Sequence, residues 1–263
     1  MRLRRLLASV GRPPLRLLRG LAQAAGFSAA VLAAACRPRT WRRPVRREFM
    51  RTMSQAAVGG VRAALLTGVL FGLAMVYQAL YWLQMAGQTD LIGRVLVLVL
   101  VREIGPLIVG LILIGRSGAP MLIELEQLRL GGQLRMLEAQ GMAPFLLLVV
   151  PRVMAFAASA FCLGMVFLIA ALLVGYMIGH SLGAINLSLY MFFDSLLRAM
   201  GPAEYVMLPL KTVALGFVVG VTSSLSVLTR TGTEADMGRL TGNGFVRGVL
   251  AIFVVSGALS LVS

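Results

Sequence analysis

One histidine, one lysine, two cysteines and ten acidic residues are all that this chain of 263 residues offers to most side-chain chemistry. His180 alone excludes a multi-histidine metal site and leaves no Ser/His/acid set to argue from. It follows Gly179 at the end of an apolar run and reads as an interfacial residue. Cys36 and Cys162 are too few for a disulfide framework or a cysteine zinc cluster. Lys211 follows Leu210 with no glycine-rich turn before it, so the G-x-x-x-x-G-K-[ST] phosphate loop is missing. The chain has no Walker site of its own. Charge is scarce as well, at 13% of residues against 59% hydrophobic, with a mean hydropathy of +0.88. Soluble domains run at about 45–50% apolar and about 25% charged. So little charge cannot cover a water-soluble surface, and the surplus apolar residues must face lipid. The composition predicts an all-α polytopic membrane protein.

What charge there is is lopsided. The formal net charge is +15, and no acid precedes Glu48. Residues 1–47 form an Arg-rich arm, set apart from a membrane domain over 48–263. A basic arm beside a membrane span meets anionic headgroups and sets topology, so no nucleic-acid partner is expected. Within the arm, Leu21 to Cys36 is uncharged and Ala-rich. It is shorter than the ~20 residues of a span and basic on both sides, which reads as an interfacial helix. A signal peptide fits less well, because Cys36-Arg37-Pro38 is a poor cleavage site. A transit peptide would carry more serine than Ser9 and Ser28.

Hydropathy places five spans: Ala63 to Thr89, Val95 to Gly115, one within Val153 to Phe193 that exits near Gly179, Gly183 and Asn186, one near Tyr205 to Thr229, and one near Thr241 to Val262. Arginines concentrate in the arm and in the second-to-third and fourth-to-fifth connections (Arg116, Arg129, Arg135; Arg230, Arg239, Arg247). The positive-inside rule then predicts a cytoplasmic N-terminus and a periplasmic C-terminus. No internal repeat supports an inverted-repeat transporter.

Residues 116–141 read as a helix pair lying along the membrane. Ser117 or Gly118 would cap it and Pro120 suits a first turn. Met121, Leu125 and Leu128 share one face, as do Leu130, Leu134 and Leu137. Gly131-Gly132 should break the pair and Gly141 should cap it. Glu124, Glu126 and Glu138 are expected on solvated faces beside Arg129 and Arg135. Pattern alone does not separate an ordinary loop helix from a coupling helix, a lever moved by a partner. Asp194, Arg198 and Glu204 fall on the outward side, where a periplasmic partner would dock.

Arg102, Glu103 and Lys211 fall inside predicted spans. Each intramembrane charge costs about 2.5–3.5 kcal/mol, so three unpaired ones would cost roughly 8–10 kcal/mol. Pairing or a wet cavity must offset that. Glu103 with Lys211 is the expected pair. Arg102, turned about 100° around the helix, would face a lipid phosphate. The alternatives are that Lys211 only snorkels and that the whole set only pins helices together. Gly105-Pro106 follows and should kink the span. Gln78 and the flexible Met75 are candidates for the same cavity wall.

From about Glu48 onward the chain resembles the MlaE-type (YrbE, Mce-associated) permease family. The resemblance rests on Val101-Arg-Glu-Ile-Gly-Pro106, Ile114-Gly-Arg-Ser-Gly118, Glu124-Leu, Gln133-Leu-Arg-Met-Leu-Glu138, Gly141, Pro144, Pro151-Arg-Val-Met-Ala155, Lys211-Thr-Val-Ala-Leu-Gly216 and Gly72 to Gln78. It implies a non-enzymatic permease subunit of an ABC transporter that moves phospholipids or related lipids and serves outer-membrane lipid homeostasis. It further implies an inner-membrane homodimer enclosing a lipid cavity, near which Arg102, Glu103, Lys211 and Gln78 would lie. Partners would be a separate ATPase holding ATP and Mg, a periplasmic MCE-domain carrier and a small STAS-type subunit. Glu124, Gln133, Leu137 and Glu138 would couple to the ATPase. Three positions depart from the family pattern, each losing an acid or polar group: Gly131-Gly132, Arg135 and Ala143. The alternatives from the residues alone are a proton-coupled secondary transporter using Glu103 and Lys211, and a non-transporting scaffold.

Overall fold

The computed structural model describes residues 22–85, 92–181, 188–228 and 237–262, with positions 20, 87 and 183. Residues 1–19 of the basic arm, Asn186 and Arg230 lie outside them, as does Thr89 at the end of the first expected span. The described residues are helical throughout, with no strand among them. The elements are α1 (Ala22–Ala35), α2 (Arg43–Met85), α3 (92–130), α4 (Gln133–Ala139), α5 (Phe145–Ser181), α6 (Leu189–Ala199), α7 (Pro202–Leu228) and α8 (Met237–Val262). Five of them, α2, α3, α5, α7 and α8, are long and apolar enough to cross a membrane. The protein is a five-span, all-α membrane protein.

Several boundaries move. The first helix begins at Arg43, not Ala63, because charge does not break a helix and Pro44 is tolerated in its first turn. The division at residue 47 therefore falls inside α2. The long apolar run after Val153 splits at Gly183, whose φ of +68° only glycine adopts easily, and α6 becomes a separate short helix. Ser188 caps α6, and Phe192 and Leu196 bury its inner face.

The largest change concerns residues 114–130. The sequence suggested a new helix capped at Ser117 or Gly118; instead Gly118 is helical with no side-chain cap, and α3 continues unbroken to Leu130. Proline explains how. Stretches of π-helix cover Val97–Ile104, Ile114–Gly118 and Phe145–Val149. Each ends just before a Gly105-Pro106, Ala119-Pro120 or Val150-Pro151 pair. A proline lacks an N–H and its ring collides with the carbonyl four residues back. Wider π winding absorbs that collision without ending the helix. The kink expected at Gly105-Pro106 takes this form.

Helix α5 is the centre of the bundle and packs on both α2 and α7. Along α2 the contact stripe runs Ala56, Gly60, Ala64, Gly68, Gly72, Val76 and Leu80, all buried at four-residue spacing. A Cβ at Gly68 would sit 2.8 Å from the Phe167 carbonyl oxygen, and one at Gly220 of α7 2.8 Å from Val153 Cα. The backbones touch there because the side chains are absent, which is how helices gain contact where lipid supplies no hydrophobic drive. The opposite face of α2 exposes Leu66, Leu70, Leu73, Tyr77 and Trp82, as a surface in contact with acyl chains would. Near the start of the bundle, Val31 of α1 is buried against Val149, Val153 and Val221, and Phe27 stacks edge-on against Phe145.

Candidate functional site

The two charged groups least tolerable in lipid meet where α3, α7 and α8 converge. Lys211 Nζ lies 3.0 Å from Glu103 Oε2, 2.7 Å from Ser260 Oγ and 2.9 Å from the carbonyl oxygen of Arg102. An ammonium has three donors, and all three are used. The Arg102 carbonyl is the acceptor that Pro106, four residues on, has no N–H to satisfy. The proline thus leaves an acceptor that the lysine takes. Ser260 Oγ also lies 2.9 Å from Glu103 Oε2, so the serine joins the pair. Lys211 is only 5% exposed, which replaces snorkelling with full internal pairing. Sequence reasoning missed Ser260, since a serine four residues from Ser256 in an apolar helix carries no signal of its own.

Beside this node lies a shallow groove walled by Val101, Met207, Leu208, Leu210 and Leu259, with Arg102, Lys211 and Glu204 as its polar members. Gln78 is not among them. It lies on the exposed face of α2, while Met75 is half-buried. Asp194 and Arg198 pair with each other at 2.7 Å along α6. His180 stacks on Tyr176 at 5.7 Å.

A second node lies toward the other end of the bundle. Arg152 of α5, 3% exposed, donates from Nε to Glu48 Oε1 of α2 at 2.9 Å. From Nη2 it donates to Glu124 Oε1 of α3, also at 2.9 Å. It ties three helices together, yet the sequence marked it only as part of a motif. The signal was available, since Arg152 enters an apolar run directly after Pro151 and Glu48 is the first acid in the chain. Glu124 is therefore held by an arginine and not simply solvated. Glu126 also departs from expectation: it is 2% exposed, 3.7 Å from Arg129. Arg129 Nη1 in turn donates to the Val227 carbonyl at 2.7 Å, closing the C-terminal end of α7. These acids turn inward because α3 does not leave the bundle at residue 117.

Beyond α3, Gly132 at φ +72° starts α4. The helix ends at Gly141, φ +73°, with Met142 N–H bonded to the Leu137 carbonyl and Gly141 N–H to that of Glu138. That is a Schellman closure. Gln133, Arg135, Met136 and Glu138 are exposed on α4, and Leu137 is half-buried. Among the described residues no group of three or more His, Cys, Asp or Glu is arranged to hold a metal.

Comparison with known proteins decides the family, for the model described as permease MlaE matches residues 49–262. The chain belongs to the MlaE permease family. It is 28% identical to a probable ABC transporter permease protein of Synechocystis, over 82% of this chain and 81% of that one. It is 27% identical to the chloroplastic protein trigalactosyldiacylglycerol 1 of Arabidopsis thaliana over 81% of this chain, and spans 61% of that protein's length. It is also 27% identical to the intermembrane phospholipid transport system permease protein MlaE of Haemophilus influenzae, over 51% of this chain and 53% of that one. The MlaE-family match covers α2 through α8 and leaves out α1 and the arm.

Proposed function

We propose that this MlaE-family permease moves phospholipids or related lipids between the inner membrane and a periplasmic MCE-type carrier. It would act as a homodimer, driven by a separate ATPase subunit that binds ATP and Mg. The observation that carries this reading is the Glu103–Lys211–Ser260 node with its apolar groove: a charged pair held at membrane depth beside a wall of Leu and Met suits an acyl chain with a polar head. Arg102, on the rim of that groove, would meet the lipid phosphate, and a second copy would complete the chamber. Gln78, on the exposed face of α2, would join the wall only across that copy. The names of the relatives support the lipid class, being those of a phospholipid permease and ABC permeases.

The arginine bias puts the N-terminus in the cytoplasm and the C-terminus in the periplasm. The ATPase, together with a small STAS-type subunit, would then dock on α4, where Gln133 and Glu138 are exposed and Leu137 offers an apolar contact. Glu124 would pass the motion inward through Arg152. Asp194, Arg198 and Glu204 would face the carrier.

The test is reconstitution in liposomes with the co-expressed ATPase and a lipid acceptor. Wild type should transfer labelled phospholipid only with ATP, and Lys211→Met should abolish transfer while the ATPase stays bound. Gln133→Ala with Glu138→Ala should release the ATPase. Proton-driven flux without nucleotide would replace this reading with secondary transport, and full activity of Glu103→Gln would remove the node from the mechanism.

A further inference from the structure

The node at Arg152 has a feature that the node at Lys211 lacks. Arg152 Nη1 is buried with no hydrogen-bond partner, although Nε and Nη2 of the same guanidinium are fully engaged. A charged donor left in this way costs more than a neutral one, so it calls for an acceptor. Arg152 also lines a cavity of about 220 Å³ between α2, α3 and α5. Helix α2 contributes Thr52 and Gln55 to its wall, and α3 contributes Arg116, Ser117 and Glu124. Arg116 is exposed, pairs with neither Glu48 nor Glu124, and passes close to Gly59, where a Cβ would lie 3.7 Å from Nε.

Charge selects the ligand. Arg116, Arg152 and Glu124 line the cavity and Glu48 stands behind Arg152, so the four charges sum to zero and give no net field to draw a simple anion. A ligand bearing both signs matches it: an acidic oxygen for Arg116, the exposed cation of the wall, and an ammonium for Glu124, whose side chain is 42% exposed. The position fits a headgroup too. The cavity lies at the end of the bundle where α1 packs its Val31 against α5 and α7. An amphipathic helix of that kind runs at headgroup depth.

We infer that this cavity is a second lipid site, separate from the groove at Lys211, which receives the zwitterionic headgroup of an ethanolamine-type phospholipid at the arm end of the bundle. The inference rests on the lipid-handling reading above only for its biological use, since the binding itself needs neither ATPase nor transport.

Native mass spectrometry of the full chain in detergent tests it, with titration by phosphatidylethanolamine, phosphatidylglycerol, glycerophosphoethanolamine and inorganic phosphate. Phosphatidylethanolamine should be held about tenfold more tightly than phosphatidylglycerol, and Arg116→Gln should lose about tenfold, the worth of one charge-assisted hydrogen bond. Gln55→Ala should lose less. Both altered positions in the cavity are exposed, so neither variant threatens the fold. Equal binding of the two lipids with no effect of Arg116→Gln would overturn the inference and leave the cavity to water. Displacement by glycerophosphoethanolamine or phosphate at equal concentration would overturn it in favour of a soluble ligand. A preference for phosphatidylethanolamine that Arg116→Gln leaves intact would return the lipid to the outer groove and overturn the inference, whereas a failure of the transport reading would leave this titration unchanged.

Discussion

Two buried cations organise this bundle, and they differ in how completely they are answered. Lys211 spends every donor on groups of the same chain, and one of its acceptors exists because Pro106 left it vacant. Arg152 holds two carboxylates from two helices and still has a nitrogen unanswered. Both solve the same energetic problem, that of an ion removed from water. The lysine's solution is closed, while the arginine's leaves one donor without an acceptor beside a polar cavity. Burial alone therefore does not reveal which charge is structural. The inventory of donors and acceptors does.

That contrast can be broken most severely at Arg152. Arg152→Met would leave Glu48, 18% exposed on its side chain, and Glu124, 42% exposed, close together with no cation between them, and the loss should be about 3 kcal/mol, the low end for one partner removed from a buried pair. A thermal unfolding scan in detergent checks it, and Arg152→Lys should recover only part because an ammonium cannot bridge both carboxylates as a planar fork does. Next comes Lys211→Met. Glu103 is 36% exposed on its side chain, so its stranded charge is partly hydrated and the expected loss is smaller, about 1–3 kcal/mol. Adding Glu103→Gln should restore most of the melting temperature without restoring transfer, which separates the two roles of the pair. Ser260→Ala removes one partner from the closed node and should cost about 1 kcal/mol by the same scan. The Asp194–Arg198 pair on α6 sets the scale of an exposed contact: Asp194→Asn should shift stability by less than about 0.5 kcal/mol, and less again in high salt.

The five spans and the meeting of Glu103 with Lys211 were legible in the sequence because both follow from one large cost, that of charge in lipid. The ends of the helices were not. The arm was expected to end at Arg47 and the first span to begin at Ala63, after Arg62, but a hydrophilic stretch can continue a helix past the membrane surface at little expense, and α2 does so. Pro120 looked like a start signal because proline favours a first turn. Three residues of similar context, Pro106, Pro120 and Pro151, sit instead in helices that rewind to accept them, and only the backbone reveals it. Arg152 was overlooked because its partners lie 104 and 28 residues away, beyond any local pattern. Glu126 was misjudged for the related reason that α3 stays in the bundle and carries its acids inward.

Helix α4 hangs between two glycines in left-handed conformation, Gly132 and Gly141, and packs on the tail of α3. The outward residues of such an element can be rewritten without asking the spanning helices to repack, while its contact with the tail of α3 would still carry a push inward. The Gly131-Gly132, Arg135 and Ala143 that depart from the family pattern fall on or beside that replaceable part.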